Sequence, residues 1–251
     1  MTPTVETISL PLNERDRVCG ALPAVMTVLR RAGVIVLRNA FSETTLREEY
    51  RRRAGEYLRF QVIYNQHVRR LSSPGDMIAV ETSVGQAVNV DSASVIYAPN
   101  DVARSILDAC FSFLMLAKTR LELEGTGKTS YARPRLSRGS AFVNYYMGVD
   151  SNGIIVGDHV DKSVLTLLTA AVDLTEPGSA PIRGLEYFDQ SANTYVELVP
   201  SAVNDVIVMC GVETRNCHEY DSLVYPPLRH RVRNVESVSK KRRFTMVFKV
   251  H

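Results

Sequence analysis

The chain has 251 residues, 45% apolar and 23% charged, an ordinary globular composition with room for one large domain or two small ones. Its formal net charge of +3 is too small to imply a nucleic-acid partner by itself. No apolar run approaches the roughly 20 residues of a membrane span, and the start, MTPTVETISLPLNERDR, lacks the basic-then-apolar order of a secretory signal. The expectation is a cytoplasmic protein without a nucleic-acid or membrane partner. The 4 cysteines (Cys19, Cys110, Cys210, Cys217) form no C-x-x-C pair and read as reduced, mostly buried thiols.

In chain order, residues 19–33 place Leu22, Val25, Met26 and Leu29 at helical spacing and end on Gly33, a helix stop. A short strand is predicted at 34–40. Ser42 is the N-cap of a helix through about Leu58, with Leu46, Tyr50, Ala54 and Tyr57 on one face. The stretch 61–100 is mixed. Residues 101–125 form the clearest helix, with Val102, Ile106, Ala109, Phe113 and Leu116 as its apolar stripe. Beyond residue 138 the texture changes. Strand-like runs recur at 140–147, 163–173, 184–189, 194–199, 205–210, 230–235 and 243–250, separated by turn-forming residues. Helices followed by many short strands indicate one α+β domain, helices packed outside an antiparallel sandwich or barrel.

His159 and Asp161 carry the first chemical signal. In extended chain, residues two apart share a face. An imidazole beside a carboxylate is one edge of a metal site, and two histidines with one carboxylate suit iron(II) while leaving three positions open. Of the 5 histidines, His230 is preferred as the third ligand because it opens a strand, which holds a ligand more firmly than the loop around His218 does. His67 and His251 have no supporting context. Arg243 and Thr245 share a strand face and form a fork for a carboxylate. Asn144 and Tyr146 are neutral donors that suit the same task.

The order NYY, HVDKSVLTLL, GLEYFD, DVIVMCG, HRVRN, RRFT over residues 140–250 resembles the iron(II)- and 2-oxoglutarate-dependent oxygenases, in their isopenicillin N synthase-like branch. The resemblance implies a single domain over 1–251. Its 1–137 part would be mainly helical, and 138–251 would be a double-stranded β-helix, or jelly roll. It implies iron ligation by His159, Asp161 and His230. Arg243 would pair with the far carboxylate of 2-oxoglutarate, assisted by Thr245, with Asn144 and Tyr146 near the co-substrate. Fe(II), 2-oxoglutarate and O2 would serve to oxidise a small-molecule substrate by hydroxylation, desaturation or cyclisation, releasing succinate and CO2. Three departures stand out. An insertion at 212–227 lengthens the gap before His230 and is a candidate lid, Arg242 competes with Arg243 for the inward position, and the chain is short. A 2-oxoglutarate-independent iron oxidase of the same fold and a non-catalytic jelly-roll binding module are the alternatives.

Overall fold

The computed structural model describes residues 5–52, 77–83, 101–126, 139–146, 153–173, 180–217, 225–233 and 243–251. Among them the strands form two sheets. The larger runs β1 (Thr7–Ser9), β2 (Val34–Arg38), β10 (Val206–Cys210), β6 (Leu165–Thr169), β12 (Arg243–Val250), β4 (Gly139–Tyr146), β3 (Met77–Ser83), and the two-residue β7 (Val172–Asp173) also pairs with β12. The smaller runs β5 (Ile154–His159), β11 (His230–Arg233), β8 (Leu185–Asp189), β9 (Thr194–Glu197). Only β1 and β2 pair in parallel among these. From β4 onward the chain passes back and forth between the sheets: β4 large, β5 small, β6 large, β8 and β9 small, β10 large, β11 small, β12 large. That alternation makes the two sheets face each other as a jelly roll, the expected architecture.

Side-chain alternation then sorts the core into two layers. Ile35, Leu37, Leu165, Leu167, Val206, Val208, Phe244, Met246 and Phe248 join the helices on the outer face of the large sheet. Val34, Val36, Leu168, Ile207, Met209 and Val247 join Leu185, Leu198 and Val232 of the small sheet. The central strands are thus buried on both faces. This is why "VIVMC" in β10 is a continuous apolar run instead of an alternating one.

Three helices cover the outer face: α1 (Arg15–Ala32), α2 (43–52 in its described part) and α3 (Asp101–Thr126). α1 buries Val18, Leu22, Val25, Met26 and Leu29 and stops at Gly33, whose φ of 69° lets its N–H return to the Leu29 carbonyl at 2.8 Å. A Cβ at Gly33 would stand 2.2 Å from the Pro226 carbonyl oxygen, so the turn into β2 requires glycine. At the start of α2 the Thr45 N–H donates to Ser42 Oγ at 3.1 Å, the predicted cap. Leu46 and Tyr50 are fully buried, while Ala54 and Tyr57 lie outside the described residues.

Two expectations are adjusted. In α3 the expected Ile106 and Phe113 are buried and Ala109 and Leu116 pack half-buried against the same core, but Cys110, Phe111, Leu114, Ala117 and Leu121 are buried as well, and the side chain of Val102 lies outside the described residues. The helix packs on β6, β12 and α1 together, which turns and widens the stripe. Strand β5 was not expected either: it opens on Ile154, Ile155 and Val156 but ends in Gly157, Asp158 and His159, and four of its six residues are exposed. Among the described residues no helix is long and apolar enough to cross a membrane.

Candidate metal centre

The polar cluster at 157–161 straddles the step from one sheet to the other. His159 is the last residue of β5, in the small sheet, and Asp161 lies in the connection 160–164 to β6, in the large sheet. His230, the first residue of β11, is the register partner of His159. Directly opposed residues put their side chains on one face of the sheet, and the two imidazole centroids stand 4.3 Å apart. Asp161 closes the group, with Oδ1 3.7 Å from His159 Nε2. One ligand atom from each of the three lies within 4.8 Å of the others, and among the described residues no other such cluster occurs.

Local contacts orient both rings. His159 Nδ1 is 2.8 Å from the Gly157 carbonyl oxygen, and His230 Nδ1 is 3.0 Å from that of Leu228. A carbonyl only accepts, so in each neutral ring Nδ1 carries the hydrogen and donates it. The lone pair is left on Nε2, the arrangement that supports metal-binding histidines. His159 is the open member, its side chain 40% exposed, against 8% for Asp161.

Asp161 is held through its backbone. The Val212 N–H donates to the Asp161 carbonyl at 2.8 Å, that of Glu213 to Ser163 at 3.0 Å, and that of Gly211 to Val164 at 3.0 Å. This close approach depends on Gly211, where a Cβ would meet the Ser163 carbonyl oxygen at 2.1 Å. Burial pushes the Asp161 carboxyl up, but the Lys249 ammonium and His230 outweigh it and hold it below the ordinary carboxylate range. Burial also pushes the His230 imidazole down, keeping it neutral and able to ligate.

The three side chains line a cavity of about 250 Å³ between the sheets, walled by Leu168, Leu185, Ile207 and Val232 among others, with Arg243, Thr245 and Lys249 as further polar groups. No family model matches the chain, and no curated protein matches it in sequence. Solved structures do match in three dimensions. A dioxygenase for auxin oxidation from Arabidopsis thaliana, in complex with 2-oxoglutarate, has a TM-score of 0.66 at 16% identity, over 98% of this chain and 92% of that one. A putative 2OG-Fe(II) oxygenase family protein from Caulobacter crescentus has 0.68 at 15%, over 100% and 87%. T7H of Neurospora crassa, in complex with alpha-KG, has 0.64 at 15%, over 98% and 84%. This chain has the fold of the 2-oxoglutarate/iron(II) oxygenases.

Within that oxygenase fold the remaining predicted residues sort clearly. Arg243 lines the cavity, is 7% exposed, and its Nη1 donates to the Arg183 carbonyl. Thr245 lines it too, its hydroxyl donating to the Thr169 carbonyl at 3.3 Å. Asn144 and Tyr146 of β4 stand opposite Thr245 and Arg243 in the strand register. His67, His218 and Arg242 lie outside the described residues. His251 sits 3.7 Å from Glu213. Of the 212–227 insertion, the described residues form a 3-10 helix, Val212–Cys217, and the stretch 225–227. None of them lines the cavity. Tyr225 is buried on the helix side, its hydroxyl donating to Glu124 Oε2 at 2.6 Å.

Sequence reasoning missed Lys249, whose Nζ donates to Asp161 Oδ1 at 2.8 Å. The signal was present in the two-residue period of β12. Lys249 follows Arg243, Thr245 and Val247 on the face that lines the cavity, a charged residue at an inward position of a core strand.

Proposed function

We propose that this protein is an Fe(II)- and 2-oxoglutarate-dependent dioxygenase that oxidises a small-molecule metabolite. The carrying observation is the convergence of the His159 and His230 imidazoles and the Asp161 carboxylate beside a mostly apolar cavity that also holds Arg243. Two imidazoles and one carboxylate are the donor set that iron(II) accepts with open positions remaining. Bound iron would supply the O2 chemistry that converts 2-oxoglutarate to succinate and CO2 while oxidising a C–H bond of the substrate.

The chain's own residues do the binding and the exclusion of water. His159, Asp161 and His230 hold the metal, with Asp161 already ionised and both histidines in the ligating tautomer. Arg243, from the same cavity wall, takes the far carboxylate of 2-oxoglutarate through its guanidinium. Thr245 rotates its hydroxyl from the Thr169 carbonyl to the same carboxylate. Asn144 and Tyr146, register partners of that pair, serve the co-substrate from the neighbouring strand. The apolar walls from Leu168, Leu185, Ile207 and Val232 keep water from the reacting centre. In hydroxylation one oxygen atom would enter succinate and the other the product; desaturation and cyclisation use the same oxidant.

The neighbours' ligands support a small-molecule substrate. The Arabidopsis protein is named for auxin oxidation, and T7H of Neurospora has been solved with 5-formyluracil. The motif order from NYY to RRFT supports the isopenicillin N synthase-like branch. The lack of a long membrane-crossing helix among the described residues is compatible with a cytoplasmic enzyme. The test is anaerobic addition of Fe(II) and 2-oxoglutarate, followed by a substrate screen for O2-dependent succinate release. A visible iron–oxoacid charge-transfer band, absent from His230→Ala, is the expected result. Failure to bind Fe(II) would leave the binding-module alternative standing instead, and Fe(II) binding without 2-oxoglutarate binding would leave the 2-oxoglutarate-independent oxidase.

A further inference from the structure

The charges that face the cavity do not balance. Among the described residues lining it, Arg243 and Lys249 are cationic and Asp161 is the one anion. With both histidines in the neutral, ligating form, the wall carries a surplus positive charge. A divalent ion adds two more, and 2-oxoglutarate, a dianion, takes two away. The surplus then falls on the cation that the oxoacid does not use. Arg243 opens β12 and is 7% exposed, whereas Lys249 stands near the other end of that strand with its side chain 22% exposed. We propose that Lys249 binds the substrate, its ammonium receiving the carboxylate of a singly charged, otherwise apolar organic acid. The inference rests on the metal-dependent reading above and adds the substrate class to it.

Place, charge and wall chemistry agree on this class. Lys249 Nζ lies 2.8 Å from Asp161 Oδ1, itself 3.7 Å from Nε2 of His159, the most open of the three ligand candidates. An acid entering beside His159 therefore meets this ammonium. An ammonium has three N–H donors that turn on a flexible stem, so a second carboxylate joins Asp161 there without displacing it. A cation left uncompensated in a cavity shielded from water is costly. One negative charge removes that cost, a neutral substrate leaves it, and a dianion reverses the sign. Val156, Leu168, Leu185, Leu198, Ile207 and Val232 make most of the remaining wall apolar. The body of the acid is accordingly hydrocarbon-like, with its charged end directed to the ammonium.

Calorimetric titration of the full chain, loaded with Mn(II) and saturating 2-oxoglutarate, tests this without turnover. The probes are hexanoate, phenylacetate and cyclohexanecarboxylate, each compared with its uncharged primary amide. The expected result is that at least one acid binds wild type roughly 10–150-fold more tightly than its amide, the worth of hydrogen bonds to a charged group. Lys249→Met, which keeps the aliphatic stem, loses that preference, and Lys249→Arg retains it. Lys249→Gln is the second variant, and it too loses the preference. All ratios are taken at full Mn(II) and 2-oxoglutarate loading, so a merely structural lysine would lower stability or metal affinity and leave them unchanged. Equal binding of acid and amide by wild type, no binding of any acid, or a preference that survives in Lys249→Met and Lys249→Gln would each overturn the inference. So would weaker 2-oxoglutarate binding in Lys249→Met with the acid preference intact, which would assign the ammonium to the co-substrate. Wild type that takes up neither Mn(II) nor 2-oxoglutarate would instead overturn the metal-dependent reading itself.

Discussion

At the scale of single residues, the three ligand candidates differ in what supports them. His159 and His230 are register partners whose Nδ1 groups are tied to carbonyls two residues back, so ring orientation comes from the strand backbone. Replacing His230 by Ala should weaken Mn(II) binding beyond the roughly 10–100-fold cost of losing an outer support, with succinate formation lost; calorimetry and product analysis check it. Arg243→Ala should leave Mn(II) binding intact while weakening 2-oxoglutarate by roughly 10–150-fold, the worth of hydrogen bonds to a charged group. A merely solvated arginine would change neither. For pH, the His230 imidazole has its pKa lowered from 6.5 by burial. The folded state therefore takes up a proton less readily than the unfolded chain. Its contribution to stability is fully present above the unfolded value and lost as pH falls through the folded one. Asp161, lowered from 3.8, acts with the same sign further into the acid range. The melting temperature of metal-free protein should fall as the pH drops below the unfolded value of 6.5, and His230→Gln should flatten that part of the profile.

At the scale of elements, position depends on where chains come close. Gly211→Ala places a Cβ 2.1 Å from the Ser163 carbonyl oxygen, so either 161–164 or 211–213 must shift. Overpacking of this kind costs about 1–3 kcal/mol. The shift moves Asp161, so Mn(II) affinity should fall together with the denaturation midpoint. Phe248→Ala makes the complementary test. Phe248 packs edge-on against Phe111 at 5.8 Å on the helix side of β12. Its loss should cost about 3–5 kcal/mol in chemical denaturation while the folded protein keeps its Mn(II) affinity. Sequence periodicity found these elements where it was strong. α1, its stop at Gly33, the Ser42 cap and all the strand-like runs after residue 138 correspond to observed elements, although 163–173 divides into β6 and β7. It failed at β5, four of whose six residues are exposed, and it found only part of the stripe of α3, whose buried face is widened by what the helix packs against.

At the scale of the whole molecule, the two sheets place a site between them, helices close the outer face of one, and the cavity opens beside His159. The residues that meet at the metal centre are 69 positions apart in one case and two in the other. Local sequence established the types: the H-x-D pair, an inward Arg-x-Thr on a β-branched strand, and the preference for a strand-borne third histidine. Those readings follow from the two-residue period of extended chain, which is a property of the backbone alone. Tertiary structure decided the rest. Only the pairing of β5 with β11 brings His230 opposite His159, because register between distant strands is set by how a whole sheet buries its apolar face. Only the meeting of the 160–164 connection with β12 sets Lys249 on Asp161. A contact between segments so far apart depends on every element that holds them in place, and no window of the sequence contains that information.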